Sequence, residues 1–530
     1  MSRTIPERLG EEEPKDASAQ VRAANAGFAM PPDDGQDFED ARRGFLGSLP
    51  DGVAPGAGSR PAWDMRRYAF LGREAAPGTV NPSLWRQARL NAIHGLFEVM
   101  PGVYQIRGLD LANMTLIEGE TGVVVIDTLT TRETAAAAIA LYREHRGDRP
   151  VTGVIFTHTH TDHWGGASAL VDPEDVAAGR IPPIAPDRFM EEAVAENVMV
   201  GAAMLRRSLF QFGHMLPPGE KGHVDNGLGK AMAVGTWALV PPNDLIRETG
   251  ETRTVDGVEL HFQMAPNTEA PAEMHIWTPG LKLLNMAENA SRNFHNLLPF
   301  RGSIVRNTLD WSRYINEALE MWGAQAEVLV GQHHWPTWGN ARVRDHLRIQ
   351  RDLYKYVHDQ TVRLINLGLT PQEIAETIRL PDSIEAAWHA RGYYGALRHN
   401  AKAIYQHYLG WYDAVPAHLD PLPPQAGGRR MVEYMGGMDA LLRRARADFE
   451  AGEFRWVAEV LNRAVFADPA CVEARVLLAD AYEQLGYACE AATWRNAYLN
   501  AAQELRKGPL KLGLRSTVSP QRRPRMRQRT

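Results

Sequence analysis

Short apolar runs separated by turns fill the stretch from Phe97 to Thr128. Phe97-Glu98-Val99, Val103-Tyr104-Gln105-Ile106, Thr115-Leu116-Ile117-Glu118 and Val123-Val124-Val125-Ile126 have strand length and strand composition, and they predict a meander. A helix is predicted from Arg132 to Arg146, stopped by Gly147. The apolar, β-branched run Val151-Thr152-Gly153-Val154-Ile155-Phe156 reads as a buried strand. A second strand set follows at Glu259-Leu260-His261-Phe262-Gln263-Met264, Glu273-Met274-His275-Ile276-Trp277 and Leu281-Lys282-Leu283-Leu284-Asn285-Met286. A further buried strand, Glu327-Val328-Leu329-Val330-Gly331, delivers His333 and His334. Beyond about Arg344 the pattern is helical.

Between the two strand sets, residues 186–240 carry apolar and Gly/Met-rich stretches too long for a simple connection, and predict an insertion that walls a pocket. Residues 1–60 are rich in Gly, Pro, Asp and Glu with little periodicity, and predict an irregular arm. From Met438 to Leu505 the text predicts two helical hairpins. Ala451-Gly452-Glu453-Phe454 and Gln484-Leu485-Gly486-Tyr487 fall at matching turns about 33 residues apart, a spacing that resembles tetratricopeptide hairpins. Val457, Val460, Leu461, Val465 and Phe466 put apolar groups on more than one face. Two repeats cannot bury that surface alone, so the module calls for a partner surface, a second subunit being the simplest.

At 530 residues the chain is too long for one core, so two or more domains are expected. A net charge of −6 argues against a nucleic-acid binder. The two cysteines, Cys471 and Cys489, form no CxxC pair and read as inert thiols. No apolar run reaches the roughly eighteen residues of a membrane span. The N-terminus lacks the apolar core of a secretory signal, which predicts a cytoplasmic protein.

The chemistry concentrates in Thr157-His158-Thr159-His160-Thr161-Asp162-His163-Trp164-Gly165-Gly166, directly after a predicted buried strand. Three imidazoles and a carboxylate within six residues are zinc ligands by type. Alternation places His158 and His160 on one side, where they reach one metal together, and puts Asp162 and His163 in reach of a second. Two metals need more ligands. Glu269, Glu273, His275, Glu288, His295, His333 and His334 lie at the ends of later strands, and spacing alone does not choose among them.

The HxHxDH run is the signature of the metallo-β-lactamase fold, and Asp127-Thr128 resembles that fold's first βα junction. The segments Asn267-Thr268-Glu269-Ala270-Pro271-Ala272-Glu273-Met274, Ala287-Glu288-Asn289, His295-Asn296, Gln332-His333-His334-Trp335-Pro336 and Arg391-Gly392-Tyr393-Tyr394-Gly395 resemble those of the alkyl sulfatases with this fold. The resemblance runs from about Asn91 to about Leu514 and implies an α/β, αββα sandwich followed by an α-helical, tetratricopeptide-like dimerisation domain. The implied layout is a catalytic domain over 61–420, the helical domain over 421–506 and a basic tail over 507–530. It implies zinc-dependent hydrolysis of alkyl sulfates such as dodecyl sulfate, with two Zn²⁺ per chain. His158, His160 and Glu269 would bind one zinc, Asp162, His163 and His333 the other, and Glu288 would bridge both. His295 and Arg301 would be the catalytic pair. Asn296, Tyr393 and Tyr394 would join them around the substrate, and a homodimer is implied.

Other readings on the same fold are a phosphodiesterase, thioesterase or lactonase. The Glu269/Glu288 pair separates them, because those relatives usually show His and Asp there. A non-enzymatic reading, a helical scaffold carrying a degenerate hydrolase domain, is opposed by the full ligand set. The family's C-terminal lipid-binding domain is not expected here. From Arg506 onward there are nine basic residues and no acidic ones, which predicts a basic, disordered end.

Overall fold

A computed structural model describes residues 13–509. The basic tail expected beyond Lys507 therefore lies almost wholly outside the described residues.

Two mixed sheets face each other. The first runs in chain order: β1 (Phe45–Gly47), β2 (Gly95–Met100), β3 (Val103–Arg107), β4 (Met114–Glu118), β5 (Val123–Ile126), β6 (Val151–Ile155), β7 (Pro183–Pro186) and β8 (Asp244–Ile246). Pairing is antiparallel through β5 and parallel from β5 to β8. The second holds β9 (Thr252–Val255), β10 (Val258–Met264), β11 (Met274–Thr278), β12 (Leu283–Asn285), β13 (Val328–Val330) and β14 (Thr337–Trp338).

The pleat explains the layering. In β5, Val124 and Ile126 enter the core between the sheets with Leu260, Phe262, Met274 and Ile276, while Val123 and Val125 join the outer core. A strand buried on both faces has no polar side to show, which is why it reads as a continuous apolar run. The predicted helix Arg132–Arg146 covers the outer face of the first sheet through Ala135, Ala138, Leu141 and Tyr142. Thr131 caps it and Gly147 ends it. Helices Thr308–Trp322 and Asn340–Asn366 cover the second sheet. The result is an αββα sandwich.

The N-terminal segment differs from the irregular arm expected over residues 1–60. Its described part folds into helices Ala19–Ala26 and Gln36–Arg42 and the edge strand β1. Its charges find distant partners, which local periodicity cannot announce. Asp37 pairs with Arg86 and Arg292, and Asp33 with Arg86.

The helical module is formed by Pro424–Tyr434, Met438–Ala451, Phe454–Ala467, Val472–Ala488 and Ala492–Lys507. The turn expected at Gln484–Tyr487 lies inside a helix instead, and the chain reverses after Ala488. Gly486 lies inside that helix, where a Cβ would stand 3.0 Å from Leu499; it permits close helix approach rather than a turn. Of the apolar positions assigned to a partner, Val457, Val460 and Leu461 are buried within the module against Leu441, Leu442, Ala474 and Leu478, while Phe466 stays exposed; the last helix docks on the body. Buried Arg495 donates to the carbonyls of Thr79, Glu220 and Gly222, and Asn496 donates to those of Gln211 and Asp225. Cys471 and Cys489 are free thiols.

Candidate metal centre

The His-rich loop leaves the carboxyl end of β6 at the centre of the first sheet. It turns into the short helix Thr161–Trp164, and Gly165 and Gly166 lie against the backbone of 128–131. A Cβ on Gly166 would meet the Thr128 carbonyl at 2.2 Å, so only glycine lets the two junctions approach. That approach sets His163 beside Asp127.

Asp127 is the hub that orients the imidazoles. His163 Nδ1–H donates to Asp127 Oδ2 at 2.7 Å. The Thr157 hydroxyl also donates to Asp127 Oδ2, and His158 Nδ1–H donates to Thr157 Oγ1. His333 Nδ1–H donates to the Leu111 carbonyl at 3.1 Å. In all three rings Nδ1 is occupied, so Nε2 presents its lone pair to the interior.

Those three Nε2 atoms converge on one oxygen. Glu288 Oε2 lies 3.4 Å from His158, 3.4 Å from His163 and 3.3 Å from His333. Glu269 Oε2 lies 3.2 Å from His158 Nε2 and 2.8 Å from His160 Nδ1. Asp162 Oδ2 stands 3.4 Å from His163 Nε2 and 3.7 Å from His333 Nε2. Three groups of ligand atoms result among the described residues, each within 4.8 Å: His158, His160, Glu269 and Glu288; Asp162, His163 and His333; and Asp127, His158 and His163, which share the orienting carboxylate.

The donor set fits cations. The Nε2 atoms of His158, His163 and His333 and Oε2 of Glu269 are buried without a hydrogen-bond partner. Leaving four such atoms unpaired is costly unless something sits between them. Ligands about 2.1 Å from one tetrahedral ion stand about 3.4 Å from each other, the spacing of the three Nε2 atoms from Glu288 Oε2 and longer than a good hydrogen bond. The site is also electrically negative. Burial would lower His160, but the carboxylates of Glu269 and Glu196 push it up to about 10. Burial, with Glu269 and Glu288 beside it, pushes Glu273 up to about 8.

The remaining candidates take other places. Glu273 accepts from the Thr268 hydroxyl and from the amides of Ala270 and Glu288, and so fixes both carboxylate-bearing loops. His275 lies in a chain from Gln263 to Asn289. His334 is turned away, with Nε2 on the Gly227 carbonyl and Nδ1 accepting from the Arg292 amide. His295 Nε2–H donates to Glu288 Oε1 at 2.8 Å, while its Nδ1 faces Arg306. Tyr394 stacks edge-on to His295, ring centroids 4.7 Å apart. Tyr393 points the opposite way, into the outer core, with its hydroxyl on Ser83, so it does not flank the site as expected. Asn296 does not face open space; its Oδ1 accepts from Arg306.

Three residues of the site lie outside the sequence-based set. Arg306 donates to Glu269 Oε1 at 2.5 Å, both side chains buried, and helps hold Glu269 down at about 2 against the effect of burial. Glu196, on a π-helical turn of the 186–240 insertion, accepts from Arg301 Nη1 at 2.6 Å. Its other oxygen lies 3.2 Å from His160 Nε2, and Arg301 Nη2 lies 2.9 Å from the same nitrogen. Burial would raise Glu196; Arg301 and His160 outweigh it and hold it well below the usual range. Gln211, from the same insertion, bonds the Tyr394 hydroxyl and the Arg301 amide.

Comparison with known proteins places this arrangement. Residues 107–333 match the metallo-beta-lactamase superfamily, and residues 370–508 match the family described as alkyl sulfatase dimerisation. The chain is 54% identical over 479 residues to an alkyl/aryl-sulfatase of Saccharomyces cerevisiae, covering 90% of this chain and 74% of that one. It is 50% identical to an (R)-specific secondary-alkylsulfatase of Pseudomonas sp., over 93% of this chain and 75% of the other. The solved stereoselective inverting sec-alkylsulfatase Pisa1 from Pseudomonas sp. superposes with a TM-score of 0.93 at 49% identity, covering 95% of this chain and 80% of that one. The chain belongs to the alkyl sulfatases, sulfuric ester hydrolases built from a metallo-β-lactamase-fold domain and a helical dimerisation domain.

Proposed function

We propose that this protein hydrolyses alkyl sulfate monoesters such as dodecyl sulfate to sulfate and the fatty alcohol, as a homodimer with two Zn²⁺ in each chain. The observation that carries the reading is the convergence of three unpartnered histidine Nε2 atoms on Glu288 Oε2, with the Arg301 guanidinium beside His160. His158, His160 and Glu269 would hold one ion, Asp162, His163 and His333 the other, and Glu288 both. Zinc there would supply Lewis-acid charge to the sulfate oxygens and lower the pKa of the attacking water.

The chain's own groups do the rest. Arg301 presents a planar fork to the sulfate oxygens. His295 carries a proton on Nε2 next to the bridging carboxylate, where the leaving oxygen can collect it. Arg306 meets His295 Nδ1 and fixes that tautomer. An apolar tail has a surface to lie on, since exposed Met199 and Val200 follow Glu196 and exposed Ile304 follows Arg301. The two segments adjoin, with Arg207 donating to the Phe300 carbonyl.

Incubation of the zinc-loaded protein with dodecyl sulfate tests the reading. Sulfate and dodecanol should appear in equal amounts, and Arg301→Ala should lower the rate about 100-fold, the loss typical of one oxyanion donor. Failure of the wild-type protein to release either product would sink it.

A further inference from the structure

The two arginines nearest the centre are each matched by one carboxylate. Arg306 is committed to Glu269, Asn296 and His295, and only 5% of its side chain is exposed. Arg301 is more open, 14% exposed, and its Nη1 is held by Glu196. Glu196 sits on no sheet strand and in none of the three ligand groups. A carboxylate placed on the anion-binding arginine opposes anion binding. An oxyanion at Arg301 must stand next to Glu196 or displace it. The cost grows with the charge of that oxyanion, because Coulomb repulsion is proportional to it.

Sulfate monoesters and phosphate monoesters are nearly the same size and shape. They differ in charge. A sulfate monoester carries one negative charge, whereas a phosphate monoester loses its second proton at a pKa of about 6 and is largely dianionic above neutrality. The alkyl tail cannot separate them, and a Lewis-acidic centre by itself favours the dianion. A repulsive group aimed at the wrong substrate is how a site rejects it. From the Glu196–Arg301–His160 triangle we infer that Glu196 is a specificity-determining residue, whose negative charge beside the arginine fork excludes dianionic phosphate monoesters while admitting monoanionic sulfates. The inference rests on the sulfatase reading of the site.

Two non-cleavable ligands separate charge from chemistry: decane-1-sulfonate, a monoanion, and decylphosphonate, at a pH where it is fully dianionic. Calorimetry gives their affinities for the zinc-loaded wild type, Glu196→Gln and Glu196→Ala, with metal content measured in each preparation. Glutamine keeps the size of glutamate and can still accept from Arg301, but it removes the charge. In Glu196→Gln the phosphonate should tighten about tenfold more than the sulfonate. The ratio of kcat/KM for decyl sulfate over decyl phosphate should fall by a similar factor. Glu196→Ala should show the same shift in ratio, with some loss of affinity for both ligands as Arg301 loosens. Equal weakening of both ligands in Glu196→Gln, or an unchanged ratio, would overturn the inference and leave Glu196 as a support for Arg301. If the wild type released no sulfate, the functional reading would fail, while the two affinities would still decide the role of Glu196.

Discussion

Asp127 Oδ2 receives both the Nδ1–H of His163, at 2.7 Å, and the hydroxyl of Thr157, through which it also orients His158. One buried carboxylate therefore sets the tautomer of two rings. It does so from a left-handed backbone position, φ 57°, which aspartate tolerates better than most residues. Asp127→Asn keeps the size and loses the charge. Metal affinity should fall by about 10–100-fold, as expected for an outer partner of ligating histidines. Competition with a chromophoric chelator measures this, and an unchanged circular dichroism spectrum would show that the fold is retained.

Arg306 and Glu269 form a buried ion pair. Arg306→Met leaves a carboxylate without its countercharge and Asn296 without its donor. The metal-free protein should lose about 3–5 kcal/mol of stability. Urea denaturation without metal isolates this effect from ligand loss, and a change below about 1 kcal/mol would contradict it.

Much of this arrangement was legible in the sequence. The meander from Phe97 to Ile126 and the helix Arg132–Arg146 announce themselves because each has a strong, uninterrupted period. The His-rich loop is equally plain, since its ligands are neighbours in the chain. Legibility fails where the partners are far apart. Asp127 and His163 meet only because β5 and β6 pair in parallel. Arg306 reaches Glu269 across 37 residues of loop and strand. Glu196 arrives on an insertion whose course no local period dictates. Tyr393 and Tyr394 are adjacent, so they point to opposite sides, and the sequence does not say which side is which. The signal for Asp127 was available, since an acidic residue at the end of a buried strand next to the metal loop is a natural partner for an imidazole.

His275 gives the protein an acid limit. It donates through Nδ1 to Gln263 and accepts at Nε2 from the Asn289 amide, so the ring must be neutral. Burial holds it down at about 3, below the ordinary 6.5. The unfolded chain therefore binds one more proton between those values, and stability is lost as pH falls through the window, by up to about 1.4 kcal/mol per pH unit. Urea midpoints of the metal-free protein between pH 6.5 and 4, compared with those of His275→Gln, test this. The variant should be less stable at neutral pH and less sensitive to acid. Parallel pH profiles would contradict the assignment.

The helical module and the segment just before it leave large aromatic groups in water. Trp411 is 72% exposed, Tyr434 91% and Trp456 50%, all within the region that matches alkyl sulfatase dimerisation. The module's own helices already bury Leu441, Val457, Leu461 and Leu478, so the aromatics need a different cover. Light scattering should give twice the mass of one chain at micromolar concentration. A monomer mass would refute the dimer.

The most direct test of the account measures sulfate release from dodecyl sulfate as zinc is removed and restored. Activity should vanish with a strong chelator, return with added Zn²⁺ and reach its plateau at about two ions per chain. Asp162→Ala should lack activity at any zinc concentration while keeping its helical spectrum. Sulfate release that persists undiminished in the chelated protein, or in Asp162→Ala, would contradict the two-metal centre.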